Sequence, residues 1–305
     1  MGLDLDSMQR MGEQSLQEGA VTAKLYQAVC RRGPLSGTRV VLKAYPLSKS
    51  RSEGDVMASN ELMAFASLQP PSTPEYSDSL CKLLGAFLVG KLGAAEQWLV
   101  LRNDGVYTAD QYAQQAAQAF AEARAVGEGE FWDRMSPERP LLRRRVMVTR
   151  VLRGALRGLG YMHAQGWLHQ SLGPTSVTLD SVDEAQSRFL KVRLRDLAFA
   201  VDVRDTTLRG GGTLGELWER GSEARAREPD PRQELAGGLW ARARDQGAYS
   251  PEERRQFGMA DDVYSAGLLV LYLSLVPFAR PGDADGAQLQ RLVEGTFRLD
   301  LDAFR

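Results

Sequence analysis

The sequence predicts an α+β protein with two lobes, a small β-rich one over residues 1–101 and a larger, mostly helical one over residues 102–305. Three observations carry this. Over the first ~110 residues, short runs of branched and aromatic residues alternate with turn-like stretches, as strands do. From about Asp110 onward, apolar residues recur at intervals of three and four, as on amphipathic helices. The join falls at Arg102 to Gly105, where one pattern gives way to the other.

In the first lobe, LYQAVC and RVVLKAYPL flank the turn-like GPLSGT and read as a hairpin. MASNELMAFASLQ follows with Met57, Leu62, Phe65 and Leu68 at helical spacing, and Pro70 and Pro71 stop it. KLLGAFLVG and QWLVLR read as a second strand pair. In the second lobe, TADQYAQQAAQAFAEARAV is alanine-rich and helix-forming, and LLRRRVMVTRVLRGALRGLGYMHAQG is a long amphipathic helix. GEGEFWDRMSPERP between them reads as a surface insertion. The tract from 204 to 247 is crowded with Gly, Arg, Asp and Glu, and reads as a long insertion with a short helix inside it.

Bulk composition excludes several classes. A net charge of −1 argues against a nucleic-acid partner held by bulk electrostatics. Cys30 and Cys81 lie far apart and read as free thiols. The two histidines, His163 and His169, have no carboxylate cluster beside them, so no zinc site is expected. The start, MGLDLDSMQRMGEQSLQ, is polar and partly acidic, unlike a signal or transit peptide. The most apolar run, Val263 to Phe278, is shorter than the ~20 residues that span a bilayer. It is expected to be a buried core helix, and no transmembrane segment is expected.

Several charged residues fall in a suggestive order. Lys43 ends the strand VVLK, and Glu61 lies 18 residues later on the next helix. Such a pair can aim an ammonium at phosphate oxygens, or can be two unrelated surface charges. HQSLGPTSV follows the long helix and precedes the strand-like VTLD. Asp196 leaves the strand-like LKVRLR, where an aspartate can hold a divalent cation. YSPEE precedes DDVYSAGLLVLYL, a buried helix expected to open at Asp262, which is either an ordinary cap or a cap for a facing loop.

Taken in order, these residues resemble the eukaryotic-type protein kinase family over roughly residues 14–305. The resemblance implies a two-lobed kinase-like fold and ATP with Mg²⁺ as ligands. Lys43 matches the lysine of the VAIK strand, Glu61 its helical partner, and His169 the histidine of HRD. Asp196 matches the metal-holding aspartate of DFG, and Ser250–Pro251–Glu252 matches APE. DVYSAG, from Asp262 to Gly267, matches the DxWxxG helix. Phe65, His169 and Leu197 match positions that stack into a column in kinases, so His169 is expected to be structural.

The departures fall on the chemistry. Ser171 stands where the catalytic aspartate would be, and a hydroxyl is no base at neutral pH. Gly173 replaces the loop lysine, Ser176 the metal-holding asparagine, and Gln170 the arginine. In LQEGAVTAKLY only Gly19 remains of the glycine-rich phosphate cradle. Val41 replaces a small alanine, Thr178 an apolar residue, and Ala198 the DFG glycine. The nucleotide-binding candidates are therefore Lys43, Glu61, Asp196, Gly19, Val41, Leu101, Arg102 and Asn103, with weak or no binding expected. After VPF the sequence supplies about one more helix, whereas kinases continue with further helices, one of which carries an arginine for the APE glutamate. If the lobe is truly short, Glu252 needs another partner or an exposed position.

The resemblance with its emptied loop implies a pseudokinase acting as a binding, scaffolding or regulatory module. A protein partner is expected at the 204–247 segment, with Leu214, Leu217, Trp218 and Trp240 as exposed-type anchors. The alternative is an atypical ATP-dependent kinase using Asp196 and a relocated acid, with Asp180, Asp183 or Glu184 as candidates. A third reading is a non-kinase α+β protein, in which Lys43 and Glu61 lie far apart. DLAFAVDV, GxADDVYSAGLL and VPF are also similar to plastid-located kinase-like proteins of plants and green algae. That implies the chloroplast stroma or a thylakoid-associated place, and otherwise the cytoplasm.

Overall fold

A computed structural model describes residues 8–16, 21–45, 53–69, 79–91, 94–105, 107–126, 139–204 and 235–300. Gly19, the insertion expected before Arg139, and Leu214, Leu217 and Trp218 lie outside them. The chain is α+β, and its contacts divide it into two compact units. One gathers Met1–Asp104, Gly160–Ser171 and Asp196–Asp261; the other gathers Gly105–Leu159, Leu172–Arg195 and Asp262–Arg305.

The first unit holds an antiparallel five-stranded sheet in the order β1-β2-β3-β5-β4. Its strands are β1 (Gln9–Leu16), β2 (Val21–Val29), β3 (Arg39–Tyr45), β4 (Leu83–Lys91) and β5 (Ala94–Arg102). Both expected strand pairs form, β2 with β3 and β4 with β5. The edge strand β1 was not legible in the sequence. QRMGEQSL is polar and pairs only with β2, so nothing forces it to alternate.

Side chains alternate across a strand, so β3 feeds both faces of the sheet. Val40, Leu42 and Ala44 join Ala28, Cys30, Trp98 and Val100 in one apolar cluster. Tyr26 and Phe87 stack on Trp98 there, with ring centroids 5.3 and 5.8 Å away. Tyr45 points to the other face and packs with Val21, Ala23 and Leu99 against α1 (Glu53–Leu68). Lys43 shares that face with Tyr45, two positions along. The helix begins four residues before Met57 and ends at Leu68, ahead of the proline pair.

In the same unit β7 (Trp167–Leu168) pairs with β10 (Val201–Asp202). Leu168 and Val203 form a core with Leu239 of α4 (Gly237–Asp245), the short helix expected in the 204–247 tract. Trp240 packs against this core and is half-buried. It is therefore not the exposed anchor its sequence context suggested, because the helix turns it toward Leu168 and Val203. Of the residues expected to greet a partner, Trp240 alone is described.

The second unit contains α2 (Ala109–Val126) and most of α3 (Arg139–Ala164). Beside them β6 (Tyr107–Thr108), β8 (Val177–Leu179) and β9 (Val192–Leu194) form a small antiparallel sheet in the order β6-β8-β9. Buried Arg144 ties the unit together. It bonds Glu184 at 2.8 Å and the Pro277 carbonyl at 2.8 Å, between the rings of Phe120 and Phe278. At Gly154 an added Cβ would lie 2.4 Å from Val192 Cβ, so only glycine lets α3 approach β9 this closely.

Two expectations about the last long helix are corrected. The helix α5 runs Pro251–Leu275, so Asp262 does not open it. Its start is set by Ser250 and Glu253, which accept each other's backbone N–H in a capping box, at 3.2 and 2.8 Å, with proline at the first helical position. Asp262 sits in mid-helix, fully buried. The helix is also not buried all round. Val263, Tyr264, Val270 and Leu275 are exposed, because neighbours pack only the side carrying Ala266, Leu269, Tyr272 and Leu273. Pro251–Phe278 is long and apolar enough to cross a membrane, as the core helix of a soluble protein can also be.

Candidate functional site

The first unit brings three distant charges together. β3 carries Lys43, α1 carries Glu61 on its sheet-facing side, and Asp196 starts the DLAFA segment. Lys43 Nζ lies 3.0 Å from Glu61 Oε2 and 3.1 Å from Asp196 Oδ1. All three are sealed from water, at 1%, 0% and 5% exposure. The wide separation of Lys43 and Glu61 that the third sequence reading required is not found.

A buried ammonium is costly unless it is paired. Burial works against the charged form of Lys43, but Asp196 and Glu61 outweigh it and hold its pKa above the ordinary lysine value. Glu61 is held on every side. Its Oε1 accepts the Leu197 N–H at 3.1 Å, and its Oε2 accepts the Tyr45 hydroxyl. Burial and the Glu61 charge push the Tyr45 phenol well above its usual pKa. The neighbouring Asn60 amide donates to the Ala198 and Ala200 carbonyls at 2.8 and 2.9 Å. Asn60 and Glu61 thus clamp residues 197–200 onto α1.

Sequence reasoning missed Tyr45 and Asn60. Two signals could have found them: Tyr45 lies two residues beyond Lys43 on one strand, hence on one face, and Asn60 adjoins Glu61.

Asp196 has left-handed backbone angles, φ 68° and ψ 58°, a conformation that aspartate tolerates better than most residues. Its carbonyl accepts the Ser171 hydroxyl at 2.9 Å. Ser171 N–H points to His169 Nδ1 at 3.3 Å, and His169 is fully buried. The hydroxyl at the expected base position is therefore a committed donor, tying one loop to the other. Phe65 and Leu197 are fully buried in the same unit.

The remaining nucleotide candidates are placed on the sheet and the strand that follows it. Val41 lies directly opposite Leu101, on the same face as Lys43. The amides beyond Leu101 are engaged within the protein. Arg102 N–H donates to the Lys82 carbonyl, Asn103 N–H to Arg39, and Asp104 N–H to Arg102. Their donors are therefore taken up before any ligand arrives.

In the second unit Ser176 is buried, and its hydroxyl both donates to the Gly173 carbonyl and accepts the Gly173 N–H, at 2.8 and 2.9 Å. Gly173 has open space where a side chain would stand. Thr178 bonds the Arg193 carbonyl at 3.1 Å. The three proposed relocated acids serve local structure. Asp180 accepts the Lys191 N–H, Asp183 caps the turn at Ala185, and Glu184 binds Arg144 and Tyr112. Glu252 takes the exposed alternative, 61% open, bonded to Arg255 and Gln256 of its own helix. Gly267 faces open space.

Asp196 Oδ1 and Glu61 Oε2 both face Lys43, and among the described residues no three His, Cys, Asp or Glu converge. What the arrangement does well is fix α1 to β3 and to the DLAFA segment. No protein-family model matches the chain, and no curated protein matches it.

Proposed function

We propose that the chain is a pseudokinase: a two-lobed, kinase-like protein that has lost phosphoryl transfer and works as a binding, scaffolding or regulatory module. The observation that carries this reading is the loop bond from Ser171 Oγ to the Asp196 carbonyl. Phosphoryl transfer needs a carboxylate to accept the substrate's proton. Here the matching residue donates its own proton, and the candidate acids Asp180, Asp183 and Glu184 are each bonded within the protein. The Lys43–Glu61 pair favours a retained kinase-like core, since two unrelated surface charges would not be buried together. ATP and Mg²⁺ bind weakly or not at all on this reading, because Asp196 already faces Lys43 and the amides of Arg102 and Asn103 are engaged.

Thermal unfolding with and without millimolar ATP and Mg²⁺ tests this, alongside a phosphate-transfer assay on generic acceptors. The expected outcome is no transfer and a midpoint shift well below that given by a ligand at a hundred times its dissociation constant, about 2.7 kcal/mol of stabilisation. A Mg²⁺-dependent transfer that disappears in Asp196→Ala and survives in Ser171→Ala would replace it with the relocated-acid kinase.

A further inference from the structure

The helix α3 carries a marked charge imbalance. Its 26 residues include seven arginines and no aspartate or glutamate, in a chain whose net charge is −1. Arg144 is buried and paired with Glu184. Arg145, Arg150, Arg153 and Arg157 instead stand on the exposed side, and among the described residues none of these four forms an ion pair. Leu142 and Leu156 lie on the same side, exposed at 60% and 45%. From Leu142 to Arg157 this face runs about 22 Å, at the rise of an α-helix.

A second element extends the patch. Arg150 donates to the Arg188 carbonyl at 3.2 Å, so the turn before β9 lies against the helix. That turn presents exposed Arg188 beside Phe189, 63% open, with the guanidinium over the ring at 4.3 Å. A projecting aromatic among arginines is expensive to leave in water and fits a boundary between apolar and anionic phases.

We propose that this face of α3, with the Arg188–Phe189 corner, docks onto an anionic membrane surface. Charge complementarity supplies long-range attraction to acidic headgroups. Leu156 and Phe189 supply the shallow apolar contact. A nucleic-acid backbone has no use for exposed leucine and phenylalanine between its cations. A peptide would need a groove for its anchors, and the outer face of one helix is convex. The inference stands apart from the pseudokinase reading, since it uses none of that site's residues.

Flotation of the full chain with vesicles tests it, using phosphatidylcholine alone and with about one-third phosphatidylglycerol. The chain should float only with the anionic vesicles and should be released as salt is raised. R150Q/R153Q/R157Q should lower partitioning on the order of a hundredfold, at roughly fivefold per basic side chain. Phe189→Ser should lower it about tenfold. Both variants should keep the wild-type unfolding midpoint, since the altered side chains are exposed. Equal flotation with neutral vesicles, no flotation, or undiminished flotation of the triple variant would overturn the proposal. So would a duplex oligonucleotide bound by the wild type and lost by the triple variant, with vesicles ignored.

Discussion

The two faces of the five-stranded sheet are held by different physics. One face closes over apolar and aromatic side chains, with Tyr26 and Phe87 stacked on Trp98. The other closes over a lysine, two carboxylates, a phenol and an amide as well as aliphatics. Apolar burial is non-directional, so the first face tolerates adjustment. A buried ionic cluster adds little net stability, but it penalises every arrangement in which a charge loses its partner. The difference between the faces is one between general cohesion and a fixed position for α1 and residues 197–200.

The largest effect should come from breaking the charged face. Lys43→Met leaves two carboxylates sealed without a cation and should cost about 3–5 kcal/mol in urea unfolding. Lys43→Met/Glu61→Gln/Asp196→Asn removes the charges together and should recover more than half of that loss. If the neutral set is as unstable as the single variant, packing rather than charge holds this face.

Trp98→Ala empties the apolar face and should cost about 3–5 kcal/mol as well. Asn60→Ala comes next, at about 1–3 kcal/mol, because two buried carbonyls lose their donor. Hydrogen exchange should show that loss at residues 197–200 and leave β1 and β2 unchanged.

The smallest effect is the alkaline limb. Lys43 and Tyr45 both hold their protons more tightly in the folded chain. Their contribution is complete below the unfolded values near pH 10 and is lost as pH rises through the folded ones. Stability followed from about pH 8 to pH 11 should therefore fall above pH 10, and Tyr45→Phe should make that fall shallower.

Much of the first unit was legible because its elements obey local rules. β2 through β5 and α1 show their period and their stops, and Lys43, Glu61 and Asp196 stood out by their order and spacing. What escaped lies where local pattern says little. β1 is a polar edge strand whose partner alone defines it. Trp240 looked exposed because its neighbours in sequence are polar, while its contacts, Leu168 and Val203, come from far away. Asp262 looked like a helix start because the preceding residues are charged, yet the Ser250–Glu253 capping box begins the same helix about three turns earlier, at Pro251. Tyr45 and Asn60 needed the fold itself, since their value comes from what faces them.

On the pseudokinase reading, Asp196 serves as the counterion of Lys43 rather than as a holder of metal and nucleotide. A double-mutant cycle between Lys43→Met and Asp196→Asn, read by urea unfolding with and without saturating ATP and Mg²⁺, measures this most directly. The account predicts a coupling of about 1–3 kcal/mol that is the same in both conditions. A coupling near zero, or one that collapses when ATP and Mg²⁺ are added, would contradict it.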